Sequence, residues 1–168
     1  MLDALAVDLV AGLKSSGIDF VTYLPETRLS QIVPLIRDDP EMELIQTASE
    51  AEAVAIAVGA ALGGKQAAVY MESTGIFVSS YSLLVTGKQL GVPLLLVVGH
   101  LGGVNDQRNS FLYSAIGRHT IPVLDALDIG YLEITDGEGL EGLILDGTRT
   151  ARARRSPFAL LFSGEFST

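Results

Sequence analysis

Short polar segments follow four predicted strands, and they contain the side chains best suited to chemistry. The segments are Leu24-Pro25-Glu26-Thr27, Thr47-Ala48-Ser49-Glu50, Glu72-Ser73-Thr74-Gly75 and Gly99-His100-Leu101-Gly102-Gly103. Carboxyl and imidazole groups accept and donate protons, so Glu26, Glu50 and His100 are candidates for acid and base work. In parallel α/β sheets the ligand lies beyond the carboxyl ends of the strands, which makes these segments the first place to search.

Several familiar sites are missing. The sequence contains no GxxxxGK[ST] and no GxSxG, which excludes a P-loop and a hydrolase nucleophile elbow. The chain has no cysteine, which excludes disulfides, thiolate metal sites and a cysteine nucleophile. His100 and His119 share no metal-ligand spacing, so we expect no metal site in this chain, although carboxylates alone suffice for magnesium in other proteins.

Alternating strands and helices would position the candidate residues. Apolar, β-rich runs recur at 20–23, 44–45, 67–71, 94–98, 131–134 and 158–162. A helix with leucines on one face precedes the first run, and helix-like stretches separate most of the others. The central runs are continuously apolar, which is typical of strands covered by helices on both faces. We therefore predict an α/β fold, a three-layer αβα sandwich with a mostly parallel sheet, and a long loop or short helix over 99–117.

Length and charge limit the function classes. The chain has 168 residues, 48% of them apolar, which predicts one domain spanning 1–168. A formal net charge of -9 disfavours nucleic acid and anionic lipid as partners. No apolar run approaches the roughly 18 residues of a membrane span, and acids stand where a secretory signal needs a basic flank. We expect a soluble, cytoplasmic protein that contacts no membrane.

The most informative stretch is 49–65, a predicted helix of very small residues. It opens with Glu50 and Glu52 and ends in Gly-Gly-Lys. Ser49 and Glu52 have the spacing of a capping box, and Glu50 in the first turn complements the helix dipole. The local mechanics alone therefore favour a structural role for both acids.

The pattern as a whole resembles the pyrimidine-binding domain of thiamine diphosphate enzymes. In that family a strand leads into a helix that begins with Glu, has a Gly nine residues later and ends before a Gly-Lys. Glu50, Gly59 and Gly64-Lys65 occupy these positions. Matching segments follow in order over nearly the whole chain, at 17–25, 73–75, 91–99 and 117–127. Within the family, the chain is similar to the alpha-subunit type of sulfopyruvate decarboxylase and to the corresponding half of phosphonopyruvate decarboxylase.

The resemblance implies a site for thiamine diphosphate. Glu50 would hydrogen-bond the aminopyrimidine ring of the cofactor and so activate it, and His100 would relay protons to the substrate. Four further residues would contact the cofactor: Pro25, Glu26, Thr74 and Gly75. Structural alternatives stay open for three of these positions. His100 is equally suited to bonding the backbone, Glu26 to being a solvated loop acid, and the segment 73–75 to being an ordinary turn and helix start.

The resemblance also implies a partner subunit. Thiamine diphosphate enzymes bind the diphosphate and magnesium through Gly-Asp-Gly followed by Asn, and the chain lacks Gly-Asp-Gly. The segment 136–139 is interpreted as a loop that starts a helix and not as a substitute. We therefore expect a diphosphate-binding beta-type subunit that carries the magnesium ligands. The assembly would be a homodimer or an α2β2-type oligomer that acts on a small 2-oxo acid.

Two departures from the family pattern concern the substrate. Where Arg-Gly is expected after the strand ending near Gly99, the chain has His100-Leu101-Gly102-Gly103, and 75–78 reads Gly-Ile-Phe-Val in place of Gly-Leu-Gly-Asn. The identity of the 2-oxo acid stays open, as does the choice between decarboxylation and carboligation.

Two other functions stay open as well. A non-catalytic α/β binding or regulatory module would keep the fold and bind no thiamine diphosphate, even beside the right partner. A flavodoxin-like carrier or a small-molecule transferase would use an unrelated site at the same strand ends.

Overall fold

A parallel sheet forms the centre of the fold. The computed structural model describes residues 4–101 and 111–163. Within these ranges the strands are β1 (Phe20–Tyr23), β2 (Glu43–Gln46), β3 (Ala67–Glu72), β4 (Leu95–Gly99), β5 (Gly130–Ile134) and β6 (Phe158–Phe162). They pair in parallel in the order β2-β1-β3-β4-β6-β5. The predicted strands are confirmed with ends shifted by at most one residue, and every pair in this sheet is parallel.

Helices cover both faces of the sheet, as predicted. They are α1 (Ala4–Ser15), α2 (Ile32–Arg37), α3 (Glu50–Leu62), α4 (Ser73–Ser82), α5 (Phe111–Ala126) and α6 (Leu140–Arg154), and a π-helical turn (Leu83–Lys88) extends α4. Buried residues of α1, α2 and α6 pack on one face, and those of α3, α4 and α5 pack on the other. The architecture is therefore the three-layer αβα sandwich. The prediction of a loop or short helix over 99–117 is wrong for its last part, because Phe111–Ala126 form a helix of 16 residues. Residues 102–110 lie outside the described part of the chain.

Strand burial follows position in the sheet. All residues of β1, β4 and β6 are buried, as are all but the last of β3, because helices cover both of their faces. Successive side chains alternate between the two cores. Ala68 and Tyr70 of β3 join the α1 side, whereas Val69 and Met71 join the α3 side. The edge strand β2 is mostly exposed. No helix in the described part of the chain is long and apolar enough to cross a membrane.

Candidate functional site

The candidate site lies where the order of the strands changes direction. From β1 the chain moves to β2 on one side, and β3 then lies on the other side of β1. Loops that leave such a switch point diverge and open a crevice beyond the carboxyl ends of the strands. The loop after β1, the start of α3, the start of α4 and the end of β4 all lie at this edge. The sheet thus brings together the segments that the sequence singled out.

Glu50 is the first residue of α3, and it is buried with 8% of its surface exposed. The helix cap is made by its neighbours. The Ser49 hydroxyl accepts from the Glu52 N–H at 3.2 Å, and the Glu52 carboxylate accepts from the N–H of Ala48 at 2.7 Å. The predicted capping box is confirmed, except that the Glu52 side chain bonds the N–H of the residue before the N-cap and not that of the N-cap itself. Because Ser49 and Glu52 complete the cap, Glu50 is not needed for it.

The Glu50 carboxylate has no hydrogen bond or ion pair with any other group in the described residues. Neither carboxylate oxygen is among the fully buried side-chain atoms that lack a partner, so the carboxylate reaches the molecular surface although the residue as a whole is buried. A fold that maintains such a group at a sheet switch point leaves it available to a ligand. Glu50 therefore fits a ring nitrogen that donates or accepts a proton.

Gly75 allows α4 to approach Glu50. A Cβ at position 75 would lie 2.7 Å from Glu50 Cγ and 2.7 Å from Met71 Sδ. Neither distance is compatible with a side chain, so glycine is required for the present arrangement. The structure thus gives Gly75 a packing reason that the sequence did not show.

Two other predicted cofactor contacts, Thr74 and Pro25, lie at the same edge. Thr74 is half-buried, and its hydroxyl donates to the Glu72 carboxylate at 3.3 Å. It also lines an apolar cavity of about 360 Å³ between α4 and α5, with Phe77 and His119 among the other lining residues. Pro25 is exposed in the loop after β1.

Glu26 fixes the loop after β1. Its carboxylate accepts from the N–H of Arg28 at 2.7 Å, from the N–H of Leu29 at 2.6 Å, and from the hydroxyl of Tyr70. Burial, aided by the negative charge of Glu26, holds the pKa of the Tyr70 hydroxyl well above its usual range. Glu26 is half-buried and bonded, so the alternative of a solvated loop acid does not describe it.

His100 is buried directly beyond β4, with 3% of its surface exposed. Its backbone N–H donates to the carbonyl of Phe162 in β6 at 3.0 Å. Its ring nitrogen Nδ1 lies 3.0 Å from the hydroxyl of Ser73, which begins α4. The contact with Ser73 holds the ring, and the bond to Phe162 holds the backbone. Gly102 and Gly103, which complete the departure from the family pattern, lie outside the described residues.

Sequence analysis assigned no role to two charged residues at this edge, Glu72 and Arg28. Burial raises the pKa of Glu72, and the negative charges of Glu26 and Glu50 raise it further, against the opposing effects of Thr74 and Arg28. The Cβ of Arg28 lies 3.5 Å from the position that a Cβ on Gly99 would take. Both residues stood beside the predicted candidates in the sequence, but only their burial and proximity distinguish them from surface charges.

The described residues show neither a metal centre nor a phosphate loop. No group of three or more His, Asp or Glu side chains in the described residues is arranged to hold a metal ion. Gly137, Gly139 and Gly142 have GxGxxG spacing that runs from the turn after β5 into the first turn of α6, and Gly139 has φ +65. Asp8 and Glu141 line the cavity of about 440 Å³ beside this turn, so phosphate would meet like charge. The predicted loop and helix start at 136–139 is confirmed.

Comparison with known proteins supplies relatives over most of the chain. Residues 4–127 match the family described as "Thiamine pyrophosphate enzyme, N-terminal TPP binding domain". Sulfopyruvate decarboxylase subunit alpha of Methanocaldococcus jannaschii is 31% identical over 150 residues, 89% of this chain and 88% of that protein. The protein of the same name from Methanococcus maripaludis is 26% identical over 146 residues, 87% and 86% of the two chains. Phosphonopyruvate decarboxylase of Streptomyces viridochromogenes is 29% identical over 133 residues, which make up 78% of this chain and 33% of that protein.

A solved structure shares the fold. The 2-oxoglutarate:ferredoxin oxidoreductase from Magnetococcus marinus, with 2-oxoglutarate, coenzyme A and succinyl-CoA bound, superposes with a TM-score of 0.70 at 22% identity. The match covers 98% of this chain and 29% of that chain. A similarity at this identity establishes the fold and leaves the chemistry to be argued from the site.

Proposed function

The chain belongs to the thiamine pyrophosphate enzymes by its N-terminal TPP binding domain, and on this premise we propose that it is the alpha-type subunit of a thiamine diphosphate-dependent 2-oxo acid decarboxylase. The observation that supports this best is Glu50, a largely buried residue at the start of α3 whose carboxylate bonds no group in the described residues and reaches the molecular surface. The cap of α3 is made by Ser49 and Glu52, so a capping role does not account for this carboxylate. The names of the sulfopyruvate decarboxylase relatives support the same function.

Thiamine diphosphate fits the residues of the crevice. Glu50 would hold the aminopyrimidine ring through its carboxylate and exchange a proton there, with Gly75 leaving the carboxylate its room. Thr74 and Pro25 would bound the ring. When bound, the cofactor supplies a nucleophilic carbon and an electron sink for the loss of carbon dioxide. Glu26 would hold the loop after β1 in place, and His100 would move a proton at its ring.

The diphosphate end requires a partner. The chain has no Gly-Asp-Gly, and the described residues contain no acid or histidine cluster suited to a metal ion. The designation "subunit alpha" of the relatives supports assembly with a second kind of subunit. We assign the magnesium and diphosphate ligands to a beta-type subunit, with the cofactor held between the two chains in an α2β2-type oligomer.

Arg28 would recognise the anionic head group of the substrate. Leu101 occupies the place of the Arg expected from the family pattern. Arg28 belongs to the same edge, because its Cβ lies beside Gly99 and its positive charge lowers the pKa of Glu72. A guanidinium pairs well with a sulfonate or phosphonate, because its planar donors match the acceptor oxygens. The substrate would be a three-carbon 2-oxo acid of the sulfopyruvate or phosphonopyruvate kind.

Substitution of Arg28 by Gln tests this assignment. Loss of one charge-assisted contact should raise KM for sulfopyruvate by about 10- to 100-fold while kcat changes little. Arg37→Gln is the matched control, since Arg37 is exposed at the end of α2. An unchanged KM in Arg28→Gln would remove Arg28 from the site.

Glu50→Gln tests the proposed function itself. The chain is co-expressed with a partner that carries Gly-Asp-Gly, and release of carbon dioxide from sulfopyruvate is measured. Gln cannot exchange the proton, so kcat should fall by about 10²- to 10⁴-fold with assembly intact. Glu52→Gln keeps an acceptor for the N–H of Ala48 and should retain nearly full turnover. Near-normal turnover in Glu50→Gln would refute the decarboxylase assignment.

A further inference from the structure

Ser73 connects the end of β3 with the segment after β4. It is the first residue of α4 and is fully buried, with 0% of its surface exposed. Its hydroxyl oxygen lies 3.0 Å from His100 Nδ1, 3.1 Å from the N of Leu101 and 3.3 Å from the carbonyl oxygen of Gly99. One hydroxyl therefore contacts three consecutive residues of the candidate site.

The position of each proton follows from what these groups can do. A serine hydroxyl donates one hydrogen bond and accepts two. The Leu101 N–H can only donate, and the Gly99 carbonyl can only accept. When all three contacts are hydrogen bonds, the single proton of Ser73 points to Gly99, which leaves one lone pair for a donor on His100. Only a hydrogen on Nδ1 satisfies all three contacts at once.

We propose that Ser73 is a positioning residue that holds neutral His100 in its Nδ1–H tautomer, so that Nε2 is the nitrogen that gains and loses a proton. The charged imidazolium also carries a hydrogen on Nδ1, so the contact with Ser73 persists in both states. The backbone bond from His100 to Phe162 holds the main chain at position 100 to β6 in both states. A proton can thus move at Nε2 without any rearrangement of the ring.

The catalytic part of this inference rests on the proposed function, whereas the tautomer can be measured without it. The chain contains two histidines, so the imidazole signals of the ¹⁵N-labelled full chain are assigned with one variant, His119→Gln. Long-range ¹H–¹⁵N correlation at a pH where both rings are neutral reports which nitrogen carries the hydrogen. His119 serves as a comparison, since its Nδ1 lies 2.7 Å from the Ala115 carbonyl, which can only accept.

The expected result in the unsubstituted chain is the Nδ1–H tautomer at His100. In Ser73→Ala the ratio of the Nδ1–H to the Nε2–H form should fall by about fivefold, the equivalent of one neutral hydrogen bond. Ser73→Thr keeps the hydroxyl and should restore the ratio. Ser79→Ala is the matched control, because Ser79 lies in the same helix, is equally buried and donates to the Gly75 carbonyl instead.

Two results would overturn the inference. An Nε2–H tautomer in the unsubstituted chain would do so without any variant, and so would an unchanged ratio in Ser73→Ala. In the assembled enzyme, Ser73→Ala should lower kcat about fivefold or more with KM unchanged, and Ser79→Ala should not. An altered tautomer with unaltered kcat would remove His100 from proton transfer. An inactive unsubstituted assembly would instead count against the proposed function and leave the tautomer assignment standing.

Discussion

Replacing Gly75 with Ala tests whether α4 must approach Glu50 as closely as it does. The new Cβ would lie 2.7 Å from Glu50 Cγ, 2.7 Å from Met71 Sδ and 3.0 Å from Met71 Cβ. Met71 is fully buried in the core beneath α3, so its movement would disturb the packing around it. Glu50 lies at the crevice and is the side chain with room to move. We therefore expect the substitution to displace the carboxylate.

Two opposing terms set the change in stability. Overpacking a filled site costs about 1–3 kcal/mol, and Ala in a helix is about 1 kcal/mol more favourable than Gly. The free energy of unfolding should therefore fall by about 0–2 kcal/mol. Catalysis should suffer more, because misplacing a reacting group by about 1 Å costs on the order of 10²-fold in rate.

Gly59→Ala supplies the matched control. Gly59 lies inside α3, and a Cβ there would meet nothing within 4 Å. This variant should gain about 1 kcal/mol from helix propensity alone. Urea unfolding of the isolated chains, followed by circular dichroism, gives the difference between the two variants, which isolates the overpacking term. If Gly75→Ala is as stable as Gly59→Ala and as active as the unsubstituted enzyme, the close approach has no functional meaning.

Two further substitutions address the acids around Glu50. Burial raises the pKa of Glu72, so the folded chain binds the proton of this carboxyl group more tightly than the unfolded chain does. The stability that the bound proton contributes is fully present below the ordinary pKa near 4.5, and it is lost as the pH rises through the raised pKa of the folded chain. Glu72→Gln should therefore raise the urea midpoint at pH 7 but not at pH 4, and an equal effect at both would refute the linkage. Glu26→Gln replaces one carboxylate oxygen with an amide NH₂ group, which can only donate. That group would face another donor, either a backbone N–H of Arg28 or Leu29 or the Tyr70 hydroxyl. The loss of a charge-assisted bond should cost about 1.5–3 kcal/mol of unfolding free energy, and a midpoint unchanged from the unsubstituted chain would contradict it.

The parts of the structure that local patterns determine were predictable. The continuous apolar run at 94–98 predicted a strand covered on both faces, and β4 is fully buried. Ser49 and Glu52 predicted a helix start from spacing alone, since a cap involves neighbours within one turn. The order of strands and helices followed from the same periodicities, because each element buries its own apolar face.

The contacts that organise the site were not predictable in this way, because they join residues distant in the sequence. Ser73 and His100 are 27 positions apart, and their bond exists only because β3 and β4 are neighbours in register. The same pairing places Glu72 opposite Gly99, which is why the segments after these strands meet. Gly75 looks like an ordinary turn residue until α3 is packed beside α4 and Glu50 fills the space a side chain would need. Residue types at strand ends therefore suggested that Glu50 and His100 carry the chemistry. The pairing of the strands and the packing of the helices determine that Ser73 and Gly75 position them.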